Sequence, residues 1–577
     1  MELAHTKKPS KLSFTIKRFV NFMKQLLKNK KSAFGLSIIF FFIFLAVAAP
    51  YLTPYDARGV DPSEPLVPLC APNVAPTWLR FLPTWLGGNP QLSENMRVVN
   101  NPGRPSLKEL KLEWSGEGTV SSYVDENVGY PLMAPTGFSK FTQNGSLVIV
   151  YNRKTGEPHN LTKVWLYAEF DWPYTGPPGR FLGNICILVN GTTKPDGKLD
   201  VPLKVKVYLG KADEKLWTLW PNPTVFGLTN MPIGFKEDPN LRVYDPKTGL
   251  ILARFPWGIE KPLSGWPDIN GWIISRSSPE SKVGSIDSES NSVVNEYTEF
   301  GKNSFPHRMI FTGPGKYVYG LELTFLDQDS AEKDVETKVF VDDFGLLIFG
   351  TSFGLLGTDH QGRDLFSQLI YGTRISLYIG ILVSVFSVFI GLIVGLAAGY
   401  LGRFVDEILM RITDLLLVLP GLPLLIVLVA VLGAKLENLI ILLGVLGWMG
   451  FARMVRSQVL SIKERPFVEA AKAIGAGRFH IIVHHVLPSV MSLVYVSLAT
   501  SVPGAITAEA ALAWLGFYDP SRMSWGQMLH NVFESNAITN WWWVIPPGLC
   551  ISLLAAAFIL LGYALDEVLN PKLRLRR

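Results

Sequence analysis

Six stretches of mainly apolar residues punctuate the chain, at about 34–53, 376–400, 406–433, 438–456, 488–515 and 543–564. Each approaches or exceeds the roughly 20 residues that a helix needs to cross the hydrocarbon core of a bilayer. The third is broken by Pro420 and Pro423. Between the first and second the pattern changes. The intervening segment has roughly 290 residues, far too many for a loop within a compact fold. Short alternating runs rich in β-formers recur there, at Ser146–Tyr151, Val164–Phe170, Leu203–Leu209, Tyr317–Phe325 and Val335–Phe340. Gly, Pro, Asn and Asp separate them, and helical periodicity is scarce, which predicts one or two β-sandwich-like modules. The expected fold class is an α-helical polytopic membrane protein of six spans with a large β-rich insertion.

Charge orients this arrangement. Residues 1–32 carry nine Lys and Arg against Glu2. No small-x-small cleavage site follows the first apolar run, so it reads as a retained signal anchor. Basic residues also crowd the 453–485 loop (Arg453, Arg456, Lys463, Arg465, Lys472, Arg478) and the tail from Lys572 to Arg577. The positive-inside rule puts these on the cytoplasmic side. The expected organisation is a basic cytoplasmic N-terminus (1–33), a first span (34–53) and an extracytoplasmic insertion (54–345). An outer-face amphipathic segment (346–375), a five-span core (376–570) and a cytoplasmic tail (571–577) complete it. The chain then sits in the cell membrane with residues 54–375 outside. The net charge of +6 is a topological signature and does not point to nucleic acid.

Little in the chain suggests catalysis. No G-x-x-x-x-G-K-[ST] loop occurs, so ATP is not expected on this chain. The three cysteines, Cys70, Cys186 and Cys550, have no metal-ligand spacing. Cys70 and Cys186 are available for a disulfide if their region faces an oxidising exterior. Asn144, Asn160 and Asn190 head N-x-[ST] acceptor triplets in the same region. Neither a cofactor nor a metal is expected in this chain.

The most informative motif lies in the loop at 464–488. Glu469-Ala470-Ala471-x3-Gly475 is followed by His485-Val486-Leu487-Pro488. Phe467, Ala470, Ala471 and Ile474 fall at i, i+3, i+4 and i+7, so they share a helical face. Glu469 and Lys472 can pair on another. Gly475 can end the helix with positive φ, and Pro488 suits the start of the next. This resembles the EAA loop of ABC-importer permeases. That resemblance implies a coupling helix at about 466–476 that docks into a cleft on a cytoplasmic ATPase. His485 stands where many such permeases carry Ile, and the peptide-importer branch often has His there.

A second block precedes the second span, Leu356-Gly357-Thr358-Asp359-x-x-Gly362-Arg363-Asp364, continuing to Gly372-Thr373-Arg374. It resembles the C-type permease of oligopeptide and dipeptide importers, of the peptide/nickel branch. So do Asn29 to Leu36, Ala397 to Tyr400, Asp406, Gly450 to Arg453, Glu509-Ala510 and Ser524-Trp525-Gly526. The likeness covers about half of the chain, and the long insertion departs from it. It implies the type I importer permease fold, a second permease subunit and two ATP-binding subunits that hold ATP and Mg. An extracytoplasmic substrate-binding protein and alternating access driven through the Glu469 loop are implied too. Peptide cargo is the first reading, and oligosaccharides or another small solute the alternative. A surface scaffold is the reading from another class, and the coupling loop argues against it. Asp359, Arg363 and Asp364 suggest a charge-paired collar or a substrate contact.

Charges within spans cost about 2.5–3.5 kcal/mol each on insertion scales and need a reason. Arg411 and Asp414 are three apart and can pair. Glu509 is placed either to line the path or to brace a neighbouring helix. For the insertion, the expectations are docking of the binding protein or capping of the complex.

Overall fold

The computed structural model describes residues 24–62, 68–99, 107–128, 145–158, 160–192, 200–201, 203–219, 286–289, 293–294, 299–301, 304–327 and 333–569. It also describes short strands at 224–226, 242–244, 251–254, 260–262 and 273–275. Asn144 and the basic tail lie outside these residues. Two compact units result, one of residues 1–59 with 365–577 and one of residues 60–364.

The first unit is helical: α1 (Lys30–Leu52), α2 (Leu365–Leu401), α3 (Arg403–Val418), α4 (Gly421–Leu432), α5 (Leu436–Val445), α6 (Met449–Lys463), α7 (Pro466–Ala473), α8 (Arg478–Ile481), α9 (Leu487–Trp514), α10 (Trp525–Glu534) and α11 (Trp541–Leu569). Five helices among the described residues are long and apolar enough to cross a membrane, counting α5 with α6 and α8 with α9 as continuous. The α3–α4 pair becomes a sixth span only if it is taken as one, and it is bent by 90°. Its break falls where the sequence put it. Proline disfavours the helical region for the residue before it, and Leu419 is extended at φ −67°, ψ 136°. Pro423 sits in the first turn of α4, where its missing N–H removes no intrahelical bond. Helix α2 has 37 residues, about 55 Å at the helical rise. It begins eleven residues before the expected span.

The 346–375 segment, expected as one amphipathic stretch, is divided. Residues 346–349 finish a strand, 350–364 form turns, and 365–375 open α2. Within the turns Thr358, Asp359 and Asp364 are buried, so no exposed polar face forms there.

The second unit is two-layered. All five predicted strands are present and longer than expected. Its main strands are β1 (Lys111–Ser115), β2 (Thr119–Asp125), β3 (Ser146–Arg153), β4 (Leu161–Trp172), β5 (Arg180–Gly191), β6 (Leu203–Lys211), β7 (Leu216–Thr218), β8 (Gly315–Leu326) and β9 (Val335–Phe349). One sheet runs in the order Ile273–Ser275, β5, β9, β3, β2, with Met96–Arg97 added to β9 and Ile286–Asp287 to β5. The other runs β1, β4, β8, β6, β7, with Thr224–Phe226 on β6. The strands named above pair antiparallel, and β8 and β4 pair over twelve residues, from Gly315 opposite Trp172 to Leu326 opposite Leu161.

The period of two in a strand sends alternate residues to one face. Leu147, Ile149 and Tyr151 face inward from one sheet, and Val164, Leu166 and Ala168 from the other, joined by Val205, Val207, Leu209, Tyr319, Leu321 and Leu323 in one core. Aromatic rings bridge it, Tyr151 stacking on Phe325 with centroids 4.8 Å apart. Among the described residues the inward faces of these two sheets share one core and so form one sandwich, and a separate three-stranded sheet joins 242–244, 251–254 and 260–262.

One ion pair is sealed into this unit. Arg153 and Asp327 both have fully buried side chains. Arg153 donates through Nε and through Nη2 at 3.2 Å, and Tyr151 donates its hydroxyl at 2.9 Å to the same carboxylate. Removing one member strands a buried charge, which costs about 3–5 kcal/mol. Asp327→Ala should therefore lower the stability of this unit by that order. Replacing Arg153 and Asp327 together by apolar residues should recover much of the loss. Urea unfolding followed by tryptophan fluorescence checks both.

Candidate functional site

Helix α7 follows α6 after two residues, Glu464 and Arg465. Pro466 opens α7 at a position that needs no N–H. Only Val468 and Ala471 of this helix are buried, three apart and so on one face. They pack into the cluster formed by Val455, Val459, Ile462, Ile481 and Val486. The face expected to be shared by Phe467, Ala470, Ala471 and Ile474 is thus divided. Ala471 turns inward, while Phe467, Ala470 and Ile474 are exposed, Ile474 to 85%. Glu469 and Lys472 are exposed as well, and no ion pair joins them.

Gly475 closes the helix at φ 84°. Its N–H donates to Lys472 O at 3.0 Å, and the Ala476 N–H reaches back to Ala471 O at 3.1 Å. This pair of bonds is a Schellman cap. Further on, Pro488 cannot donate to His484 O, and its ring would collide with that carbonyl. The chain answers with one wider π turn at Ile482–Val486, in which Leu487 N–H bonds Ile482 O. The His485-Val-Leu487-Pro488 end of the motif is that local widening.

Behind the loop runs a seam of glycines that the sequence reading did not single out. Gly391, Gly395 and Gly399 line one side of α2. A Cβ on Gly395 would lie 2.6 Å from Val455 Cβ and 2.7 Å from Ala452 O. On Gly399 it would lie 2.8 Å from Val459 Cβ, and on Gly391 2.9 Å from Trp448 O. The small-x3-small spacing was the available signal.

Two Arg–Asp pairs tie α3 to α6. Asp414 accepts from Arg453; the expected Arg411–Asp414 pair is absent and Arg411 is exposed. A facing helix supplies the guanidinium in place of the helix's own next turn. One turn closer to the loop, Asp406 takes Arg456 Nη2 at 2.7 Å.

Arg374 answers a different need. Pro50 lies inside α1 and leaves Ala46 O without its helical donor. Arg374 Nε donates to that oxygen, and its Nη2 reaches Val47 O at 3.3 Å. The first and last spans are joined by Asn29, which caps α1 through Lys31 N–H and donates to Glu567 Oε2 at 2.8 Å.

Glu509 is buried in α9 and accepts from Ser524 Oγ at 2.7 Å. Ser524 also caps α10, taking the Gln527 N–H. Next to it, Trp525 donates to Leu369 O at 3.0 Å, and Gly526 lets α10 approach Ala510. Of the two roles open to Glu509, this geometry favours the brace.

In the other unit, Gly357 to Asp364 fold onto residues 68–75. Thr358 Oγ1 donates to Ala71 O at 2.7 Å and accepts from Val74 N–H at 3.1 Å. Asp359 accepts from Gln361 N–H, Arg363 N–H and Arg363 Nε at 2.8, 3.1 and 2.7 Å. Gly357 and Gly362 have φ of 75° and 74°. A Cβ there would lie 2.1 Å from Val74 O and 2.2 Å from Cys70 O. The block is a self-paired knot.

Cys70 and Cys186 form no disulfide with each other, and both are buried. Cys70 donates to Asn95 Oδ1 at 3.0 Å and to Gly350 O at 3.3 Å. Burial pushes its thiol up to about 12. Cys186 lies in a separate cluster with Val148, Val150 and Phe340. Asn160 and Asn190 are exposed. No group of three or more potential metal ligands occurs among the described residues.

A set of apolar spans packed along a glycine seam defines a multi-pass membrane protein. Comparison with known proteins makes this particular. The profile described as "binding-protein-dependent transport system inner membrane component" matches residues 346–575. That of the "N-terminal TM domain of oligopeptide transport permease C" matches residues 18–72. The dipeptide transport system permease protein DppC of Bacillus subtilis is 42% identical over 219 residues, 38% of this chain and 68% of that protein. The oligopeptide transport system permease protein OppC of the same organism is 37% identical over 38% of this chain and 72% of its own length. The glutathione transport system permease protein GsiD of Pectobacterium atrosepticum is 37% identical, covering 38% and 73%. The chain belongs to the family of inner-membrane permease components of binding-protein-dependent transport systems.

The seam makes a sharp prediction. Gly395→Ala should cost about 1–3 kcal/mol through overpacking, because the atom it meets on one side is backbone. Gly450, near the start of the facing helix α6, has open space around it, and Gly450→Ala should be neutral or stabilising. Thermal unfolding of both purified variants in detergent tests the contrast.

Proposed function

We propose that this chain is the C-type permease subunit of an ATP-driven importer of di- and oligopeptides. The single observation that carries the proposal is α7, a short helix with one face fixed in the core and the other bare. Val468 and Ala471 anchor it, and Phe467, Ala470 and Ile474 are left for a partner. An amphipathic helix of this kind fits a groove. The groove is assigned to an ATP-binding subunit.

In this reading two ATP-binding subunits, a second permease and an extracytoplasmic binding protein complete the transporter. ATP and Mg are held on the partners, consistent with the missing phosphate loop here. Both termini and the 464–488 loop are cytoplasmic, and the β unit faces outward. Closure of the ATP-binding subunits pushes α7, and the two Arg–Asp pairs and the glycine seam carry that push into α2 and α3. The bend at Pro420 supplies the hinge for alternating access. Peptide cargo rests on the names of the relatives, which transport dipeptides, oligopeptides and glutathione.

Phe467→Asp with Ile474→Asp places charge on the docking face and leaves Val468 and Ala471 in place. Uptake of a labelled peptide should fall to background, while the chain stays in the membrane at its normal level. Gly475→Val, strained at positive φ, should do the same. Undiminished uptake in the double variant would remove the coupling role from this face.

A further inference from the structure

The β unit carries a bare aromatic tip. Pro76-Thr77-Trp78-Leu79 is repeated seven residues later as Pro83-Thr84-Trp85-Leu86, and each copy forms a 3₁₀ turn. The copies differ in fate. Leu79 is buried, and Trp78 Nε1 donates to Leu355 O at 2.8 Å. In the second copy Trp85 is 80% and Leu86 50% exposed. Phe81, between them, is 77% exposed, and Leu355 57%.

This tip is built, not loose. Thr77 N–H and Oγ1 both donate to Gly354 O, at 3.1 and 2.6 Å. Gly87 and Gly88 N–H close the second turn on Thr84 O and Pro83 O. The stretch from Ala71 to Ser93 holds one charge, Arg80. Its guanidinium lies over the Tyr174 ring at 4.8 Å and 3.6 Å from Glu94. The apex is therefore aromatic and held by hydrogen bonds, and its one neighbouring charge, Arg80, also lies 5.8 Å from the Phe81 ring.

Trp is enriched at membrane–water interfaces, where an amphipathic ring has its apolar body and polar N–H in matching surroundings. The chain supplies the proximity. Leu355 precedes Leu365, the first residue of membrane helix α2, by ten residues, a length that spans at most about 36 Å fully extended. We infer that Phe81, Trp85, Leu86 and Leu355 form an anchor that seats the β unit on the bilayer surface. The leaflet is the outer one, which rests on the outward placement of this unit proposed above.

The test uses the full chain in lipid nanodiscs. Trp85→Cys and, separately, Phe81→Cys are labelled with an environment-sensitive fluorophore, in a background with Cys550→Ala. Pro158→Cys is the control. It is exposed in the turn after β3, and Arg153 of β3 pairs with Val335 at the opposite end of β9 from Leu355. Labels at 81 and 85 should show blue-shifted emission and be quenched by lipids carrying a shallow nitroxide. The label at 158 should be quenched by aqueous iodide alone. Iodide quenching at all three positions, without lipid quenching, overturns the anchor. So does protection at 81 and 85 that arises only when a substrate-binding protein is added, since the occupant is then a protein. The nanodisc result does not depend on orientation. Labelling of the Pro158→Cys variant on intact cells with an impermeant maleimide tests orientation separately. Failure there removes the outer leaflet from the proposal and leaves the anchor to the lipid quenching.

Discussion

Close approach of α2 and α6 through Gly391, Gly395 and Gly399 is the constraint on which the helical unit depends. In a bilayer, helices gain nothing from hiding apolar surface from each other, and association rests on packing and polar contacts. Three glycines one turn apart remove the side chains that would hold the backbones away. The atoms opposite are then Ala452 O, Arg456 O, Trp448 O and the Val455 and Val459 side chains. Helix α6 leads into α7 through Glu464 and Arg465 alone, so the seam joins α2 to the helix that carries α7. The Asp406–Arg456 and Asp414–Arg453 pairs add α3 to the same set of contacts.

Prolines supply the complementary freedom, each at a cost that the structure meets locally. Pro50 strands a carbonyl that Arg374 satisfies. Pro420 ends α3, and the chain turns by 90°. Pro488 forces a π turn whose Leu487 N–H bonds five residues back. Polar groups in spans are expensive unless paired. Glu509 Oε1 has Ser524 while its Oε2 has no partner among the described residues, and Arg453 and Arg456 of α6 have the aspartates of α3.

Much of this was legible in the chain itself. Strand positions followed from alternation, since a period of two leaves a strong mark when one face is fully buried. The short helix α7 and its end followed from Pro466 and Gly475, whose backbone demands are local. Partners across space were less legible. Arg411 and Asp414 are near in sequence, but Arg453 reaches Asp414 first. Phe467 and Ala471 share a helical face by periodicity, yet only Ala471 is covered, together with Val468. The Cys70–Cys186 pairing failed for a similar reason. One thiol hydrogen-bonds in a loop and the other packs within a sheet. The Asp359 block reads as amphipathic until its side chains are seen turned onto the backbone of residues 71–74 and onto each other.

The central claim is that the exposed face of α7 is where force enters from an ATP-hydrolysing partner. A photoreactive phenylalanine analogue at Ile474, irradiated in native membranes, tests it directly. The account predicts a covalent adduct with an ATP-binding subunit, lost when the analogue is moved to buried Val468. Adducts confined to this chain or to lipid would contradict it.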